Sequence, residues 1–132
     1  MGRELMAREV QPDLIMTSTA VRALTTATLV AKELEYDIET MAVEEAIYKA
    51  DKNELLDILK NIPNQFEQVL LVGHNNTLTE LANKISPELI PNIPTAGVVA
   101  LNFNCTTWRE IAKENAHLLF FDYPKNHKKG KG

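Results

Sequence analysis

The chain has 132 residues, 45% of them hydrophobic and 24% charged, with a formal net charge of −4. This balance suits one globular domain and excludes a disordered polyelectrolyte, and the acidic excess supplies no general attraction for nucleic acid. Cys105 is the one cysteine, which excludes an internal disulfide, and no stretch approaches the ~20 apolar residues of a membrane-spanning helix.

The opening "MGRELMAREV" is charged and lacks the apolar centre of a signal peptide, so a reducing cytoplasm is the expected setting. It reads as amphipathic helix, with Leu5, Met6, Glu9 and Val10 near helical spacing. It has no capping residue and begins at once, like a helix entered partway along. "PDLIMTS", Pro12 to Ser18, predicts a buried strand, because Leu14, Ile15 and Met16 run without alternation. Such strands belong to parallel sheets covered on both faces. Ser18 or Thr19 is placed to cap a helix over about Ala20 to Leu34, whose expected apolar face is Val21, Leu24, Leu29, Val30 and Leu34.

"YDIETM" predicts a short strand and "EEAIYKA" a loop or turn. A helix follows over about Lys52 to Asn61, with Asp51 and Glu54 in capping-box spacing. Pro63 and Asn64 break the chain before a strand over Gln68–Val72. After Gly73, His74 and Asn75 a helix runs to about Ile85, with Asn75, Asn76 and Thr77 as candidate caps. "SPELIPNIPTAG" predicts an irregular loop, and "VVALNFN" alternates as a strand does. "TTWREI" predicts a helical turn capped by Thr107 and Glu110, and "HLLFFDYP" the last strand. The basic end "KNHKKGKG", residues 125–132, reads as a flexible solvated tail, with polyanion binding as the alternative.

Strands alternating with helices predict an α/β fold: a sandwich with a mostly parallel central sheet, in one domain over residues 1–124. In such sheets ligands collect at the carboxyl ends of strands, where helix N-termini expose unpaired N–H groups. Two strand ends carry chemistry. One holds Ser18, with Arg22 in the first helical turn; the other holds His74. A cation in a first turn opposes the helix dipole, unless an anion binds there and reverses the sign. Arg22 otherwise points to solvent or pairs with a glutamate, Ser18 serves as a cap, and His74 is a satisfied polar residue. Taken together they outline an anion pocket with one fixed cation and one titratable imidazole. Phosphate-loop, dinucleotide and nucleophile-elbow motifs are absent, and no Cys/His spacing indicates a metal.

The segments "QPDLIMTSTAVRALTTATLVAKEL", "IYKADKNELLDILKNI", "VLLVGHNNTLTELANKI", "NIPTAGVVALNF" and "LLFFDYPK" together resemble the histidine phosphatase superfamily, in particular its SixA-like phosphohistidine phosphatases. The resemblance runs over about Met1 to Lys125. It rests on the Ser-x-x-x-Arg-Ala segment, the Gly-His-Asn corner and the Pro-Thr-Ala-Gly loop in this order. It implies a phosphoglycerate-mutase-like fold and a hydrolase without cofactor. The substrate would be a phosphohistidine protein or a small phosphomonoester, and the reaction would pass through a phosphohistidine enzyme intermediate. By resemblance Arg22 matches a phosphate-clamping arginine and His74 the supporting histidine. Ser18 matches the strand-end residue near the pocket, and Asn75 and Thr95 lie in matching loops.

The family's nucleophile sits in an Arg-His-Gly motif at the end of a first strand, and this sequence contains no Arg-His-Gly. The expectation is a chain truncated within the family's first helix, with no nucleophile, lacking on the order of a few tens of residues of a βα unit. Either the coding sequence is shortened, with Met1 an internal methionine, or the protein is a natural paralogue without turnover, or another histidine has taken over. An exposed sheet would then favour self-association. Glu44 and Glu45 are candidates for a general acid, or residues of a solvated turn. A P–N bond has a readily protonated leaving group, so a strong protein acid is less necessary.

Overall fold

The computed structural model describes residues 10–94 and 97–123. The opening helix, Thr95 and the basic tail predicted above lie outside the described residues, Val10 excepted. The elements in chain order are β1 (Leu14–Thr17), α1 (Val21–Glu33), a 3₁₀ turn (Ile38–Thr40), β2 (Ala42–Val43), α2 (Glu45–Lys49), α3 (Lys52–Lys60), β3 (Val69–Val72), α4 (Thr77–Ile85), β4 (Val98–Phe103) and β5 (Ala116–Asp122), with further 3₁₀ turns at Trp108–Glu110 and Lys113–Asn115. The α/β class expected from the sequence is observed. Contacts sort the chain into two units, one of residues up to Asp51 with Pro63–His74, the other of Lys52–Ile62 with the chain from Asn75 onward.

In the first unit the apolar run of β1 is buried at every position and pairs in parallel with strands on both sides. Met16 and Thr17 face Ala42 and Val43, while Leu14 through Thr17 face Val69 through Val72. Asp13 sets this register from the entry side. Its carboxylate accepts the N–H groups of Glu67 at 2.8 Å and Gln68 at 3.2 Å, and its own N–H donates to the Gln68 carbonyl at 2.7 Å.

Helix α1 lies on this sheet through Ala23, Ala27, Val30 and Ala31. Ala27 and Ala31 join Ile15, with Tyr36, Met41, Leu70 and Val72 packed around them. The predicted face was wrong in part: Val30 and Leu34 are buried, but Val21 is 81% and Leu29 58% exposed. Alanines without long side chains let the helix approach the sheet closely, so small residues rather than large ones mark the inner stripe. Helix α1 ends with the Tyr36 N–H on the Ala31 carbonyl and Glu35 at φ 57°, where a glycine is usual.

Two predictions between α1 and α3 need correction. "YDIETM" does not form a strand at once. The Asp37 carboxylate accepts the Glu39 N–H at 3.0 Å, which closes a 3₁₀ turn in competition with extension, and pairing starts only at Ala42. "EEAIYKA" contains a short helix rather than a loop, anchored by Ile47 at 2% exposure.

In the second unit α3 buries Leu55 and Leu59, and α4 buries Leu81, Ala82 and Ile85. The predicted irregular loop, residues 86–94 as far as it is described, is laced to α4. Asn83 donates to the Ile90 carbonyl at 2.6 Å and accepts its N–H at 2.8 Å, and the Ile93 N–H donates to Thr79 Oγ1 at 3.1 Å. The Gly97 N–H donates to the Pro94 carbonyl at 2.8 Å, and a Cβ on Gly97 would stand 2.9 Å from that oxygen, so the position favours glycine. Strands β4 and β5 pair antiparallel with each other, apart from the parallel sheet. Ala82, Ile90 and Ile93 form this unit's core with Leu78, Val99, Leu118 and Phe121. The capping box at Thr107 and Glu110 is present as predicted. The Glu110 carboxylate is held below its ordinary 4.5, first by the Thr107 hydroxyl and then by Thr106.

Candidate active site

The parallel register of β1 and β3 decides what meets at their carboxyl ends. Thr17 pairs with Val72, and the Ser18 N–H extends the ladder to the Val72 carbonyl at 3.3 Å. The chain then leaves β3 through Gly73 into His74, which turns back onto Ser18: His74 Nε2 and Ser18 Oγ are 2.7 Å apart. Residues 56 positions apart in the chain are thus joined by one hydrogen bond.

Ser18 is fully buried and its oxygen has a second duty, accepting the Ala20 N–H at 3.3 Å. The remaining lone pair can accept an Nε2 proton, or the hydroxyl can donate to a bare Nε2; the tautomer decides. Either way Nδ1 is left without a hydrogen-bond partner among the described residues. The ring is half-buried, and Tyr48 of α2 packs against it in a T-shaped contact, centroids 5.2 Å apart and planes at 61°. The imidazole is therefore held by a hydrogen bond at one nitrogen and by one ring contact.

Helix α1 begins three residues after Ser18, at Val21. Its N-cap position, Ala20, supplies no side-chain cap, and its first turn holds no acidic residue. The predicted capping by Ser18 or Thr19 is not made, because the helix starts at Val21 and the N-cap position falls on Ala20; Ser18 Oγ is engaged with the Ala20 N–H and His74. Arg22 stands in this first turn, exposed, with no hydrogen bond or ion pair among the described residues. A lone cation and open N–H groups at one helix end favour an anion.

The structure brings Ser18 and His74 together and puts Arg22 on the helix that leads away from them. It does not bring in Asn75. That side chain donates to the Ile93 carbonyl and to Asn92 Oδ1 and accepts from Thr79 Oγ1, so it ties the following loop to α4 within the second unit. Neither Asn75 nor Asn76 caps the backbone of α4 with its side chain. Thr95 lies outside the described residues. Glu44 extends the ladder through its N–H to the Thr17 carbonyl at 2.9 Å, with an exposed side chain. Glu45 turns away to an exposed ion pair with Lys49 at 3.2 Å.

Sequence reasoning missed Tyr48. The available signal was an aromatic residue beside a single buried isoleucine, just past the carboxyl end of β2; reading the segment as a loop concealed it. Among the described residues no group of three His, Cys, Asp or Glu is placed to hold a metal, and no helix is long and apolar enough to cross a membrane.

Solved structures that resemble this chain include three SixA proteins. The protein histidine phosphatase SixA complexed with tungstate superimposes with a TM-score of 0.78 at 18% identity, over 96% of this chain and 78% of that one. The fold is that of SixA. A putative phosphohistidine phosphatase SixA from Nakamurella multipartitia gives a TM-score of 0.70 at 18% identity, over 93% and 77% of the two chains. One from Agrobacterium tumefaciens gives 0.70 at 21% identity, over 93% and 75%. An uncharacterized protein of Mycobacterium leprae (strain TN) is 26% identical over 120 residues, 84% of this chain and 71% of that protein. No family model matches.

Proposed function

We propose that this chain is a phosphatase-type domain whose site binds the phosphoryl group of phosphohistidine or of a related phosphomonoester. The observation that carries the reading is the Ser18–His74 hydrogen bond at adjacent parallel strand ends, beside the uncapped helix start that bears Arg22. In this reading Arg22 clamps the phosphoryl oxygens, the α1 N–H groups share that charge, and His74 stabilises charge developing on the group. Ser18 keeps the imidazole oriented. Asn75 and Thr95 are weaker candidates for the rim. The likeness to SixA, one structure of which was complexed with tungstate, supports an oxyanion as the ligand. In the full-length form the reaction would pass through a phosphohistidine on a nucleophile outside this sequence. Residues 1–124 are taken as one domain in a reducing cytoplasm, and no cofactor is required.

The absence of Arg-His-Gly favours a second reading, a module that binds phosphate or phosphohistidine without hydrolysing it. Calorimetric titration with inorganic phosphate and vanadate tests the shared part. Arg22→Ala is expected to weaken binding by about ten- to a hundredfold, the range of a lost charge-assisted hydrogen bond. Unchanged affinity would remove Arg22 from the site. The coding sequence upstream of Met1 separates the readings: in-frame codons for an apolar strand ending in Arg-His-Gly favour the enzyme, and a stop codon with a ribosome site just upstream favours the module.

A further inference from the structure

We propose that Tyr48 selects the group that carries the phosphate, favouring planar aromatic leaving groups such as imidazole over aliphatic ones; this rests on the phosphate reading above. Helix α2 has five residues, and its buried anchor is Ile47 at 2% exposure. The next residue, Tyr48, is left 56% exposed, and its hydroxyl makes no hydrogen bond among the described residues. Neither core packing nor a polar partner accounts for an aromatic residue at this position. Its contact is with the His74 ring, centroids 5.2 Å apart.

Glu45 and Lys49, on either side of it in the helix, pair with each other in solvent, so the tyrosine interrupts an otherwise charged surface. A ligand whose phosphoryl group reaches His74 carries its leaving group past the same imidazole. The exposed part of the Tyr48 ring is then open to it. Aromatic rings attract one another in offset or edge-to-face geometry through their quadrupoles, whereas an alkyl group offers no such complement. The five-residue helix, pinned by Ile47, holds the ring beside the imidazole before the ligand arrives.

The alternative is that Tyr48 only steadies His74. Calorimetry with inorganic phosphate, methyl phosphate, phenyl phosphate and 1-phosphoimidazole separates the two, using the whole chain and its Tyr48→Phe and Tyr48→Leu variants. The ring-bearing ligands are expected to bind about three- to tenfold more tightly than methyl phosphate, the range an aromatic pair supplies. Tyr48→Phe keeps that preference; Tyr48→Leu removes it, bringing the ratio of the Kd values for methyl and phenyl phosphate to about one. A preference that is absent, or that survives Tyr48→Leu, overturns the proposal. So does an equal loss for all four ligands, which would make Tyr48 a support for His74 alone. Failure of the unaltered chain to bind inorganic phosphate has a different signature and overturns the phosphate reading with it.

Discussion

Tyr36 shows how one side chain completes a strand that the sheet leaves short of partners. Strand β2 pairs with β1 only from Met16 onward, so the N–H of Ile15 has no ladder partner on that side. The Tyr36 hydroxyl takes it at 3.2 Å and donates to the Thr40 carbonyl at 3.2 Å. Ile15 is fully buried, so water is a poor substitute. Tyr36→Phe is expected to cost about 1–3 kcal/mol, the penalty of an unsatisfied buried donor. Urea unfolding measures it, and a loss below about 0.5 kcal/mol would mean that the amide finds another partner. His74 is the counterpart in the candidate site: a polar ring fixed at one nitrogen by Ser18 and by a T-shaped contact with Tyr48. Its role as a candidate was legible from its place after an apolar run and a glycine. Its partner Ser18 was named too, as a helix cap or as a strand-end residue near the pocket; that the two share a hydrogen bond depends on register, which one sequence does not reveal.

Among the elements, β3 has an environment that its sequence does not predict. A continuous apolar run suits a strand with neighbours on both sides. Strand β1 has that place and is buried throughout, whereas all residues of β3 are half-buried and, among the described residues, it pairs with β1 alone. Among the described residues its far edge makes no ladder pairing, and such an edge is a template for another strand. The chain expressed alone is therefore expected to self-associate as concentration rises. Sedimentation velocity measures this, and Leu71→Lys should weaken it by placing a charge on the edge. Monomer at every concentration would show that the edge is protected. The helices teach the opposite lesson. The lengths of α1, α3 and α4 were readable from periodicity, but the short α2 was read as a loop, and the inner face of α1 was misjudged because Val21 and Leu29 outweigh the alanines in any count of hydrophobicity.

For the whole molecule, a ligand that binds only the folded form stabilises it by mass action. With phosphate at about a hundredfold its Kd, unfolding of the unit that holds Ser18, Arg22 and His74 should become about 2.7 kcal/mol more costly. Hydrogen exchange at the slowest amides of β1 and α1 would then fall by about a hundredfold. Arg22→Ala should abolish most of the effect; unchanged exchange with saturating phosphate would count against the site.

The sequence by itself determined the α/β class, the apolar strands and the two strand-end residues that now define the candidate site. Local forces suffice for these: alternation or continuity of apolar residues, turn chemistry at Pro and Gly, and the capping box at Thr107 and Glu110. It also established that no Arg-His-Gly is present. Only the tertiary structure decided that Ser18 and His74 touch, that Asn75 is spent on the loop before Pro94, and that Tyr48 packs on the imidazole. Each of those depends on which strand lies beside which and in what register. That choice is made by packing between distant segments, and periodicity along one chain carries no record of it.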